Sequence, residues 1–210
     1  MNKEITGVIL AGGENRRVQS RQKAFFEVGG QPIVGRIYSV LRSVFARVMI
    51  VTNTPLDFID WNAIIVTDIF DHRSSLTGVQ AALFSVDTPH AFVCACDAPF
   101  LKKELVKTVV SGVEAGQDVV IPETSAGLEP LCAVYSAERC LEVIESQLAR
   151  RQFAIRHILN RLRVKIVSEK KLRRSDPFLD SFMNVNTPED LERARRIMRD
   201  RGNDALVKNS

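Results

Sequence analysis

Short apolar runs alternate with stretches of helical periodicity along most of this chain, and this alternation constrains the fold more than any other feature. The predicted strands are Thr6–Leu10, Arg47–Asn53, Ala63–Asp68, Ala91–Cys96, Asp118–Pro122, Leu131–Tyr135 and Val164–Val167. The predicted helices are Ile33–Val44, Leu76–Val86, Leu101–Val113, Ala137–Leu148, Phe153–Leu162 and a last helix with Thr187 as N-cap and Pro188 at its first position. This order predicts a three-layer α/β/α fold with a mostly parallel sheet.

The length of 210 residues fits one compact domain, with 45% hydrophobic and 26% charged residues, which is ordinary globular usage. We expect a single domain over residues 1–201 and a polar, frayed tail over residues 202–210. No apolar run approaches the roughly 20 residues of a membrane-spanning helix, and the N-terminus lacks the apolar core of a secretory signal. The sequence therefore predicts a cytoplasmic protein that does not bind membranes.

The cysteines and histidines give little support to a metal site. The four cysteines lack the Cys-x-x-Cys spacing of zinc and redox motifs, so we interpret them as buried thiols: Cys94, Cys96, Cys132 and Cys140. The three histidines are scattered, with no second ligand at helical spacing.

Positive charge is concentrated between Gln147 and Arg174, a segment that we call the basic edge. It contains one acid, Glu169, and ten basic residues: Arg150, Arg151, Arg156, Arg161, Arg163, Lys165, Lys170, Lys171, Arg173 and Arg174. The basic edge is either a surface for an anionic ligand or partner, or a solvated helix face and loop. Among Phe, Tyr and Trp, only Phe153 interleaves with these charges, and this scarcity of aromatic residues disfavours nucleic-acid binding.

Residues that suit a nucleotide and a metal ion follow four of the predicted strands. In open α/β sheets, ligands bind where the carboxyl ends of the strands meet. The four strand ends are Leu10-Ala11-Gly12-Gly13, Asn53, Asp68 and Cys96-Asp97-Ala98-Pro99. The glycine pair lets backbone N–H groups approach a base or phosphate, although the P-loop and dinucleotide patterns are both absent. A cationic stretch suited to a triphosphate follows: Arg16, Arg17, Arg21 and Lys23.

Two aspartates have competing interpretations. Asp97 is the best candidate for a Mg²⁺ ligand, because Mg²⁺ takes one or two carboxylates and leaves its other positions to phosphates and water. The alternative is that Asp97 caps the following helix. Asp68 is predicted to accept a hydrogen bond from a ribose hydroxyl or a base edge, and the alternative is a residue that forms an Asx turn.

Further motifs then point to a family. In order, the chain contains Leu10-Ala11-Gly12-Gly13, Arg17 and Lys23, Ser75-Leu76-Thr77-Gly78-Val79, Cys96-Asp97-Ala98-Pro99-Phe100, Glu129-Pro130-Leu131 and Asn184-Val185-Asn186-Thr187-Pro188-Glu189-Asp190-Leu191. With these motifs, the stretch from Ile5 to Arg196 resembles the molybdenum cofactor guanylyltransferase (MobA) family. The first motif is shared with nucleotidyltransferases generally, and the last is more particular to the guanylyltransferases.

The resemblance implies a Rossmann-like nucleotidyltransferase sheet and a transfer of GMP from GTP to molybdopterin, with release of pyrophosphate and a need for Mg²⁺. The implied nucleotide-binding residues are Leu10, Ala11, Gly12, Gly13, Lys23, Asn53, Asp68, Gly78 and Asp97. The first three would present backbone groups to the guanine, while Asn53 and Asp68 would contact the nucleoside.

The resemblance also implies catalytic roles for Arg17, Lys23 and Asp97. Lys23 would hold phosphate oxygens, and Asp97 would bind the metal ion. Asn184 and Asn186 would face the reacting phosphates or the pterin product, the alternative being turn residues before the last helix.

One loop departs from the family pattern. Where the family has Met-Gly, a spacer and Asp-Lys, this chain has Val18-Gln19-Ser20-Arg21-Gln22-Lys23. Gln19 cannot take a positive φ cheaply, and Gln22 removes an acidic partner of Lys23. We therefore expect this loop to surround the phosphates differently, with lower enzymatic activity or a changed substrate.

Three alternatives remain open from the sequence. One is a molybdopterin cytidylyltransferase that uses CTP, and another is a nucleotidyltransferase with a sugar phosphate as acceptor. The third belongs to a different class: a non-catalytic protein that binds nucleotide or cofactor and delivers it to a partner through the basic edge. The partners that the resemblance implies for this edge are a molybdoenzyme or other cofactor-biosynthesis proteins.

Overall fold

The computed structural model describes residues 1–12, 23–70 and 72–207. The strands are β1 (Ile5–Leu10), β2 (Glu27–Val28), β3 (Gln31–Pro32), β4 (Val48–Val51), β5 (Ile64–Val66), β6 (His90–Ala95), β7 (Val119–Thr124), β8 (Gly127–Leu128), β9 (Cys132–Ser136) and β10 (Val164–Val167). The α-helices are α1 (Ile33–Val44), α2 (Ser75–Ser85), α3 (Lys103–Val110), α4 (Ala137–Ala149), α5 (Arg156–Leu159), α6 (Glu169–Leu172) and α7 (Pro188–Val207). Short 3₁₀ helices cover Lys23–Phe25, Pro55–Phe58 and Asp180–Phe182.

The main sheet has the strand order β10-β7-β9-β6-β1-β4-β5, with β8 paired to β7. Strand β1 lies between β4 and β6 and runs parallel to both, so that Ile9 faces Ile50 of β4 and Cys94 of β6. The pairs β4–β5 and β7–β10 are also parallel. The mostly parallel sheet predicted from the sequence is therefore confirmed.

Helices cover both faces of the sheet and create two apolar cores. Helices α1, α3 and α7 contribute to the core that contains Ile9 and Phe92, whereas α2, α4 and α5 contribute to the core that contains Val8 and Met49. Neighbouring residues of β1 point to opposite faces, so Val8 and Ile9 enter different cores. All six residues of β1 are buried, which explains why apolar and polar residues do not alternate along this strand.

The structure corrects several element boundaries. The helix predicted over 101–113 spans only Lys103–Val110, and of the helix predicted over 153–162 only α5 is α-helical. Strand β9 is antiparallel to both β6 and β7, a direction that an apolar run does not encode. The elements β2, β3, β8 and α6 were not predicted, because segments of two to four residues carry no readable periodicity. Helix α7 continues to Val207, into the segment for which fraying is predicted.

The four cysteines are free thiols, with Cys94, Cys132 and Cys140 buried and Cys96 partly exposed. None of the helices in the described ranges combines the length and the apolar character that crossing a membrane would require.

Candidate active site

A cavity of about 210 Å³ opens at the carboxyl ends of β1, β4, β5 and β6. We call it the strand-end cavity. Its lining includes Leu10, Ala11, Gly12, Lys23, Thr52, Asn53, Asp68, Arg73, Ser74, Ser75, Gly78, Cys96, Asp97, Leu131 and Asn186. Parallel strands end at the same edge of a sheet, so the residues that follow four separate strands meet here. The structure thus brings together the residues that the sequence suggested for a nucleotide and a metal ion.

The backbone after β1 is held between its two neighbouring strands. The N–H of Ala11 donates to the carbonyl of Val51 at 2.8 Å, and the N–H of Cys96 donates to the carbonyl of Leu10 at 3.2 Å. A Cβ added to Gly12 would lie 3.3 Å from Nδ2 of Asn53, so the absence of a side chain keeps this approach open. The exposed backbone of Gly12 is therefore accessible from the cavity.

Asp97 places a carboxylate in this cavity directly after β6. Its Oδ1 is buried and has no hydrogen-bond partner among the residues that the structure describes. Burial raises the pKa of the Asp97 carboxyl, while a backbone N–H and the charge of Lys23 oppose that rise. Asp97 does not cap the next helix, because α3 begins after Lys102 without a side-chain cap. The carboxylate is thus available to a ligand.

Lys23 and Asn186 meet across the cavity although 163 positions separate them in the chain. The ammonium of Lys23 donates a hydrogen bond of 3.1 Å to Oδ1 of Asn186. The N–H of Val185 donates to the carbonyl of Asp97 at 2.9 Å, and the Val185 side chain is fully buried. Asn186 is therefore fixed next to the segment that carries Asp97, whereas Asn184 lines a smaller, neighbouring cavity.

Asp68 connects the end of β5 to the start of α2. Its Oδ2 accepts a hydrogen bond of 2.8 Å from the hydroxyl of Thr77, and its Oδ1 accepts one of 3.2 Å from the N–H of Phe70. The second bond is the Asx turn that the sequence left as an alternative. A contact between Asp68 and a nucleoside remains a prediction.

Sequence reasoning missed the residues at the start of α2 that line the cavity: Arg73, Ser74 and Ser75. Ser74 is the N-cap, and its hydroxyl accepts from the N–H of Thr77 at 3.1 Å while the Thr77 hydroxyl accepts from the N–H of Ser74 at 3.0 Å. The usual sequence pattern of a capping box has Glu or Gln at this third helical position. Because Thr77 occupies it here, the sequence pattern did not indicate the cap. The positive end of α2 and the exposed Arg73 side chain both favour an anion in the cavity.

Gly78 lies one turn further along α2, against β1. A Cβ added to Gly78 would meet the side chain of Leu10 at 3.5 Å. This is an ordinary van der Waals distance, so the packing of α2 on β1 does not require glycine here; Gly78 lines the strand-end cavity, and its role in nucleotide binding stays a prediction.

The predicted loop residues that lie outside the described residues are Gly13, Arg16, Arg17, Val18, Gln19, Ser20, Arg21 and Gln22. No member of the basic edge is among the described residues that line the strand-end cavity. Three of its members form ion pairs: Arg163 with Asp118, Lys165 with Glu114 and Arg173 with Glu169.

Comparisons with known proteins agree with this geometry. The model of the MobA-like NTP transferase domain family matches residues 7–166. The molybdenum cofactor guanylyltransferase of Desulfosudis oleivorans is 49% identical over 195 residues, which cover 93% of this chain and 96% of that protein.

Solved structures give the same result. Molybdopterin-guanine dinucleotide biosynthesis protein A from Archaeoglobus fulgidus aligns with a TM-score of 0.81 at 28% identity, covering 93% of this chain and 99% of that one. A 4-diphosphocytidyl-2C-methyl-D-erythritol synthase from Anaerococcus prevotii shares the fold, with a TM-score of 0.70 at 15% identity over 94% of this chain and 96% of that one. The chain belongs to the MobA-like NTP transferase domain family and is a nucleotidyltransferase.

Proposed function

We propose that this nucleotidyltransferase transfers GMP from GTP to molybdopterin, releases pyrophosphate and requires Mg²⁺. The observation that carries the proposal is the meeting of Asp97, Lys23 and Asn186 in the strand-end cavity. The high identity to a relative named molybdenum cofactor guanylyltransferase supports the choice of nucleotide and acceptor.

In this proposal the sheet edge binds the nucleotide. The backbone of Leu10–Gly12 faces the guanine, and Asn53 and Asp68 face the nucleoside. Lys23, the start of α2 and Arg73 face the phosphates, where positive charge is needed to bring two anions together.

The reaction needs no general base, because the attacking group is already an anionic phosphate of the acceptor. Its oxygen forms a bond to the α-phosphorus of GTP as the bond to pyrophosphate breaks. The task of the protein is to orient both reactants and to stabilise negative charge on the leaving group. Lys23, held by Asn186, is placed for this task. Arg17 would add a second cation there.

The residues present fit a divalent cation. Asp97 offers a buried carboxylate oxygen without a hydrogen-bond partner in the described part of the chain. No group of three or more His, Cys, Asp or Glu side chains forms a metal site within that part. A single carboxylate suits Mg²⁺, whose other positions phosphates and water can fill. When bound there, Mg²⁺ would neutralise phosphate charge.

Asp97→Asn tests the proposal. The variant removes the charge but retains the shape, so we expect pyrophosphate release from GTP and molybdopterin to fall by about 10²- to 10³-fold, as when one electrostatic contact to a transition state is lost. Steady-state assays of released pyrophosphate measure this.

Asp87→Asn is the matched control, since Asp87 is an exposed aspartate paired with Arg47 and does not line the strand-end cavity. It should retain full activity. Full activity of Asp97→Asn as well would contradict the metal assignment.

A further inference from the structure

The strand-end cavity continues into two further spaces. It shares Ala95 and Leu131 with a small cavity of about 30 Å³ that Asn184 also lines. That small cavity shares Glu129 and Phe182 with an outer groove of about 380 Å³. The three spaces therefore adjoin one another in this order, outward from Asp97, and we call them together the cleft.

The outer groove offers aromatic surface to a flat ring. Phe178 is 80% exposed, which is unusual for so large an apolar side chain, and Phe182 lies beside it in the lining. Arg173 donates a hydrogen bond of 2.7 Å to the carbonyl of Pro177 and also binds Glu169, so the turn that presents Phe178 is tied to α6. The exposed ring of Phe178 suits stacking of a heterocycle.

Glu129 stands at the junction between the small cavity and the outer groove. Its backbone is fixed, because its N–H donates to the carbonyl of Pro122 at 3.0 Å and its carbonyl accepts from the N–H of Cys132 at 3.1 Å. One side-chain oxygen, Oε1, accepts a hydrogen bond of 3.3 Å from the hydroxyl of Thr124. Burial raises the pKa of the Glu129 carboxyl, and within the described residues no cation lowers it.

A half-buried carboxylate with one weak hydrogen bond leaves acceptor capacity unused, and a ligand with paired donors would use it. A pterin has such a pair, since its 2-amino group and its ring N3–H lie side by side. Two parallel N–H···O bonds to one carboxylate combine strength with directional selectivity. Guanine carries the same pair of donors, so the pterin and the guanine are distinguished by where each lies in the cleft.

We propose that Glu129 determines acceptor specificity by accepting hydrogen bonds from the 2-amino group and N3–H of the pterin, which lies in the outer groove. The inference rests on the proposed function: the acceptor phosphate must reach the nucleotide near Asp97, so the rest of the acceptor extends along the cleft. The guanine stays at the Leu10–Gly12 end and does not contact Glu129.

The test compares two free heterocycles, pterin and lumazine, in which an oxygen replaces the 2-amino group. Equilibrium dialysis of the full chain with each compound needs no turnover. We expect the unaltered protein to bind pterin about tenfold more tightly than lumazine, the effect of one hydrogen bond to a charged group. Glu129→Gln should abolish this preference while leaving the affinity for GTP unchanged.

Glu123→Gln is the matched control, because Glu123 is an exposed glutamate in the same hairpin and lines none of the three spaces. It should behave like the unaltered protein. Equal binding of pterin and lumazine, or a preference that survives Glu129→Gln, would overturn the proposal. Loss of GTP affinity in Glu129→Gln would show that Glu129 binds guanine instead, which also overturns it.

The two proposals fail in different ways. If the unaltered protein releases no pyrophosphate from GTP and molybdopterin, the proposed function fails. The comparison of pterin with lumazine still decides the role of Glu129, because it measures binding alone.

Discussion

At the scale of single residues, the side chain of Asp97 has an environment that folding alone would not favour. Its Oδ1 is buried without a hydrogen-bond partner in the described ranges, and burial raises the pKa of its carboxyl. A raised pKa means that the ionised form is less stable in the folded protein than in the unfolded chain. Such a cost is typical of a binding group.

This cost predicts how metal-free protein responds to pH. At pH 7.5 Asp97→Asn should unfold a few degrees higher than the unaltered chain, since ~1 kcal/mol corresponds to about 2–4 °C for a domain of this size. As the pH falls towards about 4, the pKa of an unfolded aspartate, the carboxyl of Asp97 takes up a proton in the folded state first, and the difference should shrink. Thermal unfolding followed by circular dichroism at both pH values measures it.

Addition of Mg²⁺ with GTP tests the metal contact from the opposite direction. A ligand that binds only the folded state raises the melting temperature of the protein. The unaltered chain should be stabilised more than Asp97→Asn. Equal stabilisation of both proteins would contradict a metal contact at Asp97.

At the scale of elements, the segment between α6 and α7 is fastened to the loop that follows β6. The carboxylate of Asp176 is fully buried, where it accepts hydrogen bonds from Nζ of Lys102 at 2.6 Å and from the N–H of Ser181 at 2.8 Å. The Ser181 hydroxyl in turn accepts from the N–H of Lys102 at 3.0 Å. Together with the bond from Val185 to Asp97, these contacts fix the segment that carries both asparagines.

Asp176→Asn should therefore destabilise the fold strongly. Removing one partner of a buried ion pair usually lowers the free energy of unfolding by about 3–5 kcal/mol. Because the Lys102 side chain is 30% exposed, we expect a loss at the lower end of this range, about 3 kcal/mol. Urea unfolding measures the change. The exposed pair of Asp87 and Arg47 gives the control, for which Asp87→Asn should cost less than ~1 kcal/mol. Similar losses in the two variants would contradict the prediction.

The same carboxyl gives a pH dependence of stability. Burial alone would raise the pKa of Asp176, but the hydrogen bonds from Lys102 and Ser181 bring it below the ordinary value. The contribution of Asp176 is thus present at neutral pH and is lost as the pH falls below about 4, the pKa of an unfolded aspartate.

At the scale of the whole molecule, our proposal puts the two substrates on opposite sides of β6. The parallel half, β1, β4 and β5, ends at the side that we assign to the nucleotide. The antiparallel β9 follows the Glu129-Pro130-Leu131 turn, which lies on the acceptor side of the cleft. Transfer between the two sides then takes place next to Asp97.

A titration of GTP and CTP, each with and without Mg²⁺, tests this arrangement. We expect GTP to bind at least about 10-fold more tightly, or ~1.4 kcal/mol, because a site that hydrogen-bonds one base leaves groups unpaired with another. Isothermal titration calorimetry measures both affinities. Preference for CTP would favour the cytidylyltransferase, and tight binding of GTP without pyrophosphate release would favour a non-catalytic carrier.

The sequence by itself determined the layered α/β fold and most of the strand-end residues. Buried parallel strands read as short apolar runs, and the residues that follow them must share one edge, so Asn53, Asp68 and Asp97 could be grouped without coordinates. The Asx turn at Asp68 was also foreseeable, because aspartate forms it locally.

Only the tertiary structure decided the contacts between distant segments. The bond from Lys23 to Asn186, the burial of Asp176 against Lys102 and the antiparallel direction of β9 all depend on how the helices and strands pack. Sequence periodicity reports which face of an element is apolar, but it carries no information about which remote residue that face will meet.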